Sequence, residues 1–94
     1  MSNLPSVELL ESTHEFPGPF TFKAIGQAEG GFVVRVVAAV RQELEIEIDP
    51  PYSTKQTRGG RHVSVTLEPE VESAWQVLAI YGRIQETAGL VMLF

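Results

Sequence analysis

The sequence predicts a single α+β domain in the order strand, helix, strand, strand, helix, strand, folded as a four-stranded antiparallel sheet with two helices on one face. Three observations predict it. Ninety-four residues supply one hydrophobic core and no second one. Hydrophobic spacing switches along the chain between alternation and a period near 3.6, the signatures of strands and helices. Clusters of glycine and proline punctuate the switches.

Residues 1–18 read as a partly flexible lead-in with a short amphipathic turn at Val7 to Leu10, closed by Pro17 and Pro19, neither of which can continue a helix. The folded domain, 19–94, then opens with a strand in which Phe20, Phe22 and Ala24 share one side and Thr21, Lys23 and Ile25 the other. Gly26, Gly30 and Gly31 bracket a connection, GQAEGG, that permits positive φ. The valine-rich FVVRVVAAVRQEL favours a strand by intrinsic preference. Its spacing overrides that preference, because Val33, Val36, Val37, Val40 and Leu44 fall on one helical face while Arg35, Ala38, Arg41 and Gln42 lie away from it.

Leu44, Ile46 and Ile48 alternate with Glu45, Glu47 and Asp49 before Pro50 and Pro51, which predicts a half-buried second strand. STKQTRGGR reads as a polar loop over 53–61, and Val63, Val65 and Leu67 alternate with His62, Ser64 and Thr66 to give a third strand and a long hairpin. Glu68-Pro69-Glu70 resembles a helix start, and Val71, Ala74, Trp75, Leu78 and Tyr81 mark the face of a second helix that Gly82 weakens near its end. GLVMLF reads as the fourth strand. Right-handed crossovers favour the spatial order 4-1-3-2.

Composition excludes several function classes. The chain has no cysteine and only His14 and His62 as histidines, so disulfides, thiolate chemistry and common metal sites have no ligands to draw on, and no metal or cofactor is expected. Seven basic against twelve acidic residues give a net charge of −5, which argues against nucleic acid as a partner. No apolar run is long enough to span a bilayer and the N-terminus lacks the basic flank of a signal peptide, so a cytoplasmic protein away from membranes is expected. Neither an acylphosphatase-like arginine in the first loop nor aromatics on the third strand for stacking RNA bases are present. No serine triad or phosphate-loop signature stands in the chain, so no catalytic residue is assigned and the protein is not expected to be an enzyme.

The stretches ELLE at 8–11, EFPGPFTFKAIGQA at 15–28, HVSVT at 62–66, Ile80-Tyr81-Gly82 and Val91-Met92-Leu93 together resemble the YbeD-like family of small bacterial proteins of unknown function. Two departures from that pattern are Ser12 to His14, which look inserted, and a longer, more basic TKQTRGG loop. The resemblance implies a ferredoxin-like βαββαβ fold similar to ACT-type regulatory domains, which bind small metabolites such as amino acids. It also implies a regulatory, lipoate-related role.

Three groups of residues are candidates for function. A ligand would lie against Gly26, Gln27, Ala28, Glu29, Gly30 and Gly31, where an ACT-type domain holds one and backbone N–H groups at a helix start can receive a carboxylate; the plain alternative is a glycine-rich turn. Lys55, Arg58 and Arg61 could contact an anion or an acidic partner, or simply be a solvated hairpin tip. His62 is expected to face Glu45 and Glu47 across the hairpin. Ile25, Leu90, Val91, Met92, Leu93 and Phe94 form an apolar corner that either the VELL segment or another chain, such as a second copy, must cover. Two readings follow: a metabolite-sensing regulatory module, or a ligand-free adaptor that binds protein through its sheet edge or open face.

Overall fold

The computed structural model describes residues 4–94. Helix α1, Val7–Thr13, and the two-residue strand β1, Gly18–Pro19, precede β2, Phe22–Gln27, and helix α2, Phe32–Leu44. Strands β3, Tyr52–Gln56, β4, His62–Leu67, and β5, Glu70–Val71, lead to helix α3, Ala74–Gln85, and strand β6, Leu90–Leu93. The valine-rich segment is therefore helical. Holding a β-branched residue in a helix costs up to about 0.7 kcal/mol. Burying Phe32, Val36, Val37 and Val40 in the core returns about 1.5–3 kcal/mol per side chain, so packing decides.

β3, β4, β2 and β6 form one antiparallel sheet in that spatial order. Phe22, Ala24, Val65 and Leu67 point to its inner face and have no exposed surface. Val77, Ile80 and Ile84 of α3 join them, and the same cluster takes in Leu10 of α1. A rung of aromatic rings runs through it: Phe20 to Phe22 at 4.9 Å and Phe22 to Tyr81 at 5.0 Å between centroids. Burial pushes the Tyr81 phenol above its usual pKa. Arg83 Nε donates to Glu43 Oε1 at 2.7 Å and ties α3 to α2 at the surface.

Four sequence expectations are corrected. The second strand does not lie in LEIEID: α2 runs on through Leu44, Glu45 caps it at φ 55°, and Ile48 is 79% exposed. The strand is the polar Tyr52–Gln56, which starts just before the loop expected at 53–61 and takes its first four residues, and the hairpin connection shrinks to Thr57 to Arg61. As an edge strand exposed along its whole length, it is held by its ladder to β4 and needs no apolar face. Third, Glu70–Val71 pairs with Gly18–Pro19 as a second small sheet, and α3 begins later, where the Gln76 N–H donates to Ser73 Oγ at 3.2 Å. Trp75 then falls on the outer face of α3, 68% exposed, and Val77, Ile80 and Ile84 replace it in the core. Fourth, the VELL segment forms a full helix, capped by Ser6 Oγ accepting from the Leu9 N–H at 3.1 Å, and α1 rests on α3.

Candidate functional site

At one end of the sheet the chain brings the glycine-rich connection and the hairpin tip together. The Ala28 N–H donates to the Arg61 carbonyl at 3.0 Å, and the Gln27 N–H to the Gly89 carbonyl at 2.9 Å. Between them lies a cleft of about 400 Å³ bordered by Gln27, Glu29, Gly60, Arg61 and His62. Two stretches that sequence reading treated as separate candidates thus meet. Of the three basic residues only Arg61 lines the cleft; Lys55 sits in β3 opposite Ser64, and Arg58 at the exposed turn.

The glycines of this stretch are accounted for by packing at Gly26, in β2, and by a positive φ at Gly30 and Gly31 in the loop. A Cβ on Gly26 would stand 2.4 Å from the Phe32 ring. Gly31 caps α2 from a left-handed conformation, φ 79° and ψ 27°, with no side-chain cap. The Arg35 guanidinium reaches back to donate to the Gly30 carbonyl and, at 2.7 Å, to the Ala88 carbonyl. A cation of the chain itself therefore knits the loop to the turn before β6. His62 is paired with Gln27 of β2, not with Glu45 or Glu47, because those glutamates lie in the α2–β3 connection and not in the neighbouring strand.

The apolar corner splits in two. Leu93 pairs with Ala24 and Leu90 with Gly26, and both lean on the core. A shift of register between Ile25 and Gly26 follows, with Ile25 opposite Met92 on the outer face. Val91, Met92 and Phe94 are 52%, 50% and 56% exposed there. Lys23 Nζ stands 5.8 Å from the Phe94 ring centroid, and the Phe94 N–H donates to the Lys23 carbonyl at 2.8 Å, which fixes the ring against the sheet. Among the described residues of the lead-in, Leu10 is buried against the helices, while Leu4 and Pro5 border a crevice with Tyr81, Val91, Met92 and Phe94 that leaves the last three half exposed.

Sequence reading missed one surface. Ile46 and Ile48, assigned to a strand, instead stand at an open groove at the opposite end of the sheet, with Pro50, Pro51 and Pro69. Its walls come from stretches about twenty positions apart, so no single window of sequence displays it. Among the described residues, no group of three or more His, Cys, Asp or Glu side chains could hold a metal ion, and no helix is long and apolar enough to cross a membrane.

Comparison with known proteins places this arrangement in company. Residues 11–94 match the model of a family described as protein of unknown function (DUF493). The chain is 36% identical over 76 residues to a UPF0250 protein of Shewanella piezotolerans, covering 81% of this chain and 84% of the relative. UPF0250 proteins of Shewanella woodyi and Shewanella amazonensis are 34% and 32% identical over the same shares of both chains.

Proposed function

The chain belongs to the DUF493 family of proteins of unknown function, and from that premise we propose that it is a protein-binding module without chemistry of its own, self-associating through the outer corner of its sheet. The observation that carries this reading is the cluster of Val91, Met92 and Phe94, each at least half exposed, beside Ile25. Such a patch in an acidic protein gains most by facing another apolar surface. A second copy offers the same patch and closes as a two-fold pair. The order β6-β2-β4-β3, which is 4-1-3-2 over the four longer strands, supports a ferredoxin-like arrangement, with α1 and the β1–β5 pair as additions.

Light scattering across a concentration series tests the reading. The native chain should pass from monomer to dimer, and Met92→Glu or Phe94→Glu should weaken the dimer about tenfold or more, as expected for a charge placed at an apolar contact. Both residues are exposed, so the melting temperature of the monomer should not move. A protein that stays monomeric throughout, or variants that dimerise like the native chain, would overturn it.

A second reading has one specific observation in its favour, the cleft where Arg61 and His62 meet the Gln27 to Glu29 segment. There a small carboxylate-bearing metabolite would pair with Arg61. Glu29 on the same cleft and the Arg35 clamp within the loop favour the protein-binding reading over it.

A further inference from the structure

The groove that holds Ile46 and Ile48 is not part of the sheet corner and is built to stay open. Its volume is about 520 Å³, and its apolar lining includes Ile46, Ile48, Pro50 and Pro51 on one side and Pro69 and Val71 on the other. The α2–β3 connection that presents the isoleucines is pinned at both ends. The Glu45 N–H donates to the Arg41 and Gln42 carbonyls and the Ile46 N–H to the Arg41 carbonyl at 3.3 Å. Arg41 Nη1 also holds Asp49 Oδ1 at 2.6 Å, and the Glu68 N–H donates to the Pro51 carbonyl at 2.9 Å. A connection with this many ties nonetheless leaves Ile48 79% exposed. Leaving an isoleucine in water forgoes the gain of burying it, an arrangement that favours a partner able to cover it.

Charge identifies what covers it. Asp49, Glu70 and Glu72 line the groove and no lysine or arginine does. Glu45, Glu47 and Glu68 stand exposed in the same two stretches, so 45–49 and 68–72 carry six of the chain's twelve acids. Among the described residues, Arg41 is paired with Asp49 and no cation is paired with Glu70 or Glu72. An acidic rim repels nucleic acid and anionic lipid, and a second copy would set acid against acid across a two-fold axis. We propose that this groove binds a short segment of a partner protein in which one or two large apolar side chains are flanked by lysine or arginine. The apolar residues fill the space over Ile46 and Ile48, and the basic flanks meet Glu70 and Glu72. Because the groove is already tied in place, little ordering opposes the binding.

A random-peptide phage library selected on the full chain supplies the probe. The selection should enrich peptides that combine Lys or Arg with Leu, Ile, Met or Phe. The best of them, made as a fluorescent peptide, should lose affinity about tenfold or more on Ile48→Ser, the scale of removing a central anchor. Glu70→Lys with Glu72→Lys should cause a similar loss, and affinity should fall as salt rises. Ile48, Glu70 and Glu72 are exposed, so these variants should fold, which circular dichroism checks. Enrichment of acidic or uncharged peptides, no enrichment, or binding that survives Ile48→Ser would each overturn the proposal. So would Ile48→Ser abolishing self-association, which would make the groove a contact between copies. Met92→Glu should leave peptide binding intact, so that failure at the sheet corner and failure at the groove are read separately.

Discussion

Gly26 shows how a residue that looks functional can be settled by packing. It lies in β2 where the aromatic ring of Phe32, the first residue of α2, closes over the sheet, and an added Cβ would meet three ring carbons at 2.4 to 2.5 Å. Phe32 is 1% exposed, so the ring has little room to yield. Gly26→Ala should therefore destabilise the fold by about 1–3 kcal/mol, the usual range for overpacking a core. Gly82 is the matched control: it sits within α3, and a Cβ there meets nothing within 4 Å. Gly82→Ala should stabilise by about 0.5–1 kcal/mol through helix propensity alone. Denaturant midpoints of the two variants should move in opposite directions; equal shifts would mean that the Phe32 contact does not govern Gly26.

At the scale of elements, the start of α3 is set by a cap and not by the acidic Glu68-Pro69-Glu70 run. Ser73 adopts an extended backbone, φ −159° and ψ 165°, and its hydroxyl accepts from the Gln76 N–H. Replacing it with alanine should cost about 1 kcal/mol, read as a lower thermal midpoint, whereas Glu70→Gln should leave the midpoint near its native value because that residue lies in β5. The same contrast explains what was legible beforehand. α2 was legible because Val36, Val37 and Val40 recur at helical spacing and all are buried. β3 was not, because an edge strand exposed on both sides carries no apolar alternation, and Ser53 to Gln56 therefore read as loop. Ile46 and Ile48 carried the alternation instead, for a groove and not a strand. The glycine-rich connection was recognisable as a turn, but nothing in its letters announced that Arg35 and Phe32 would occupy the space around it.

Over the whole molecule, the open question is whether the N-terminal helix folds as one unit with the sheet. Sequence reading drew the boundary at Pro19, yet Leu10 is 2% exposed within the same cluster as Val77 and Ile80. His14, just past α1, lies 4.7 Å from Phe20, which continues the aromatic rung to Phe22 and Tyr81. Truncating a buried leucine to alanine costs about 2–5 kcal/mol, a large share of the roughly 5–15 kcal/mol that holds a small domain together. Leu10→Ala should thus lower the global midpoint, with far-ultraviolet and near-ultraviolet circular dichroism falling together in one transition. Loss of part of the helical signal ahead of the aromatic signal would mean that α1 is a separately unfolding appendage. The outcome bears on both binding surfaces, because α1 presses on α3, the helix whose first turn borders the groove and whose far end borders β6. If the molecule unfolds as one, a variant at Leu10 should weaken self-association and peptide binding in the same proportion as it raises the unfolded fraction, and no further.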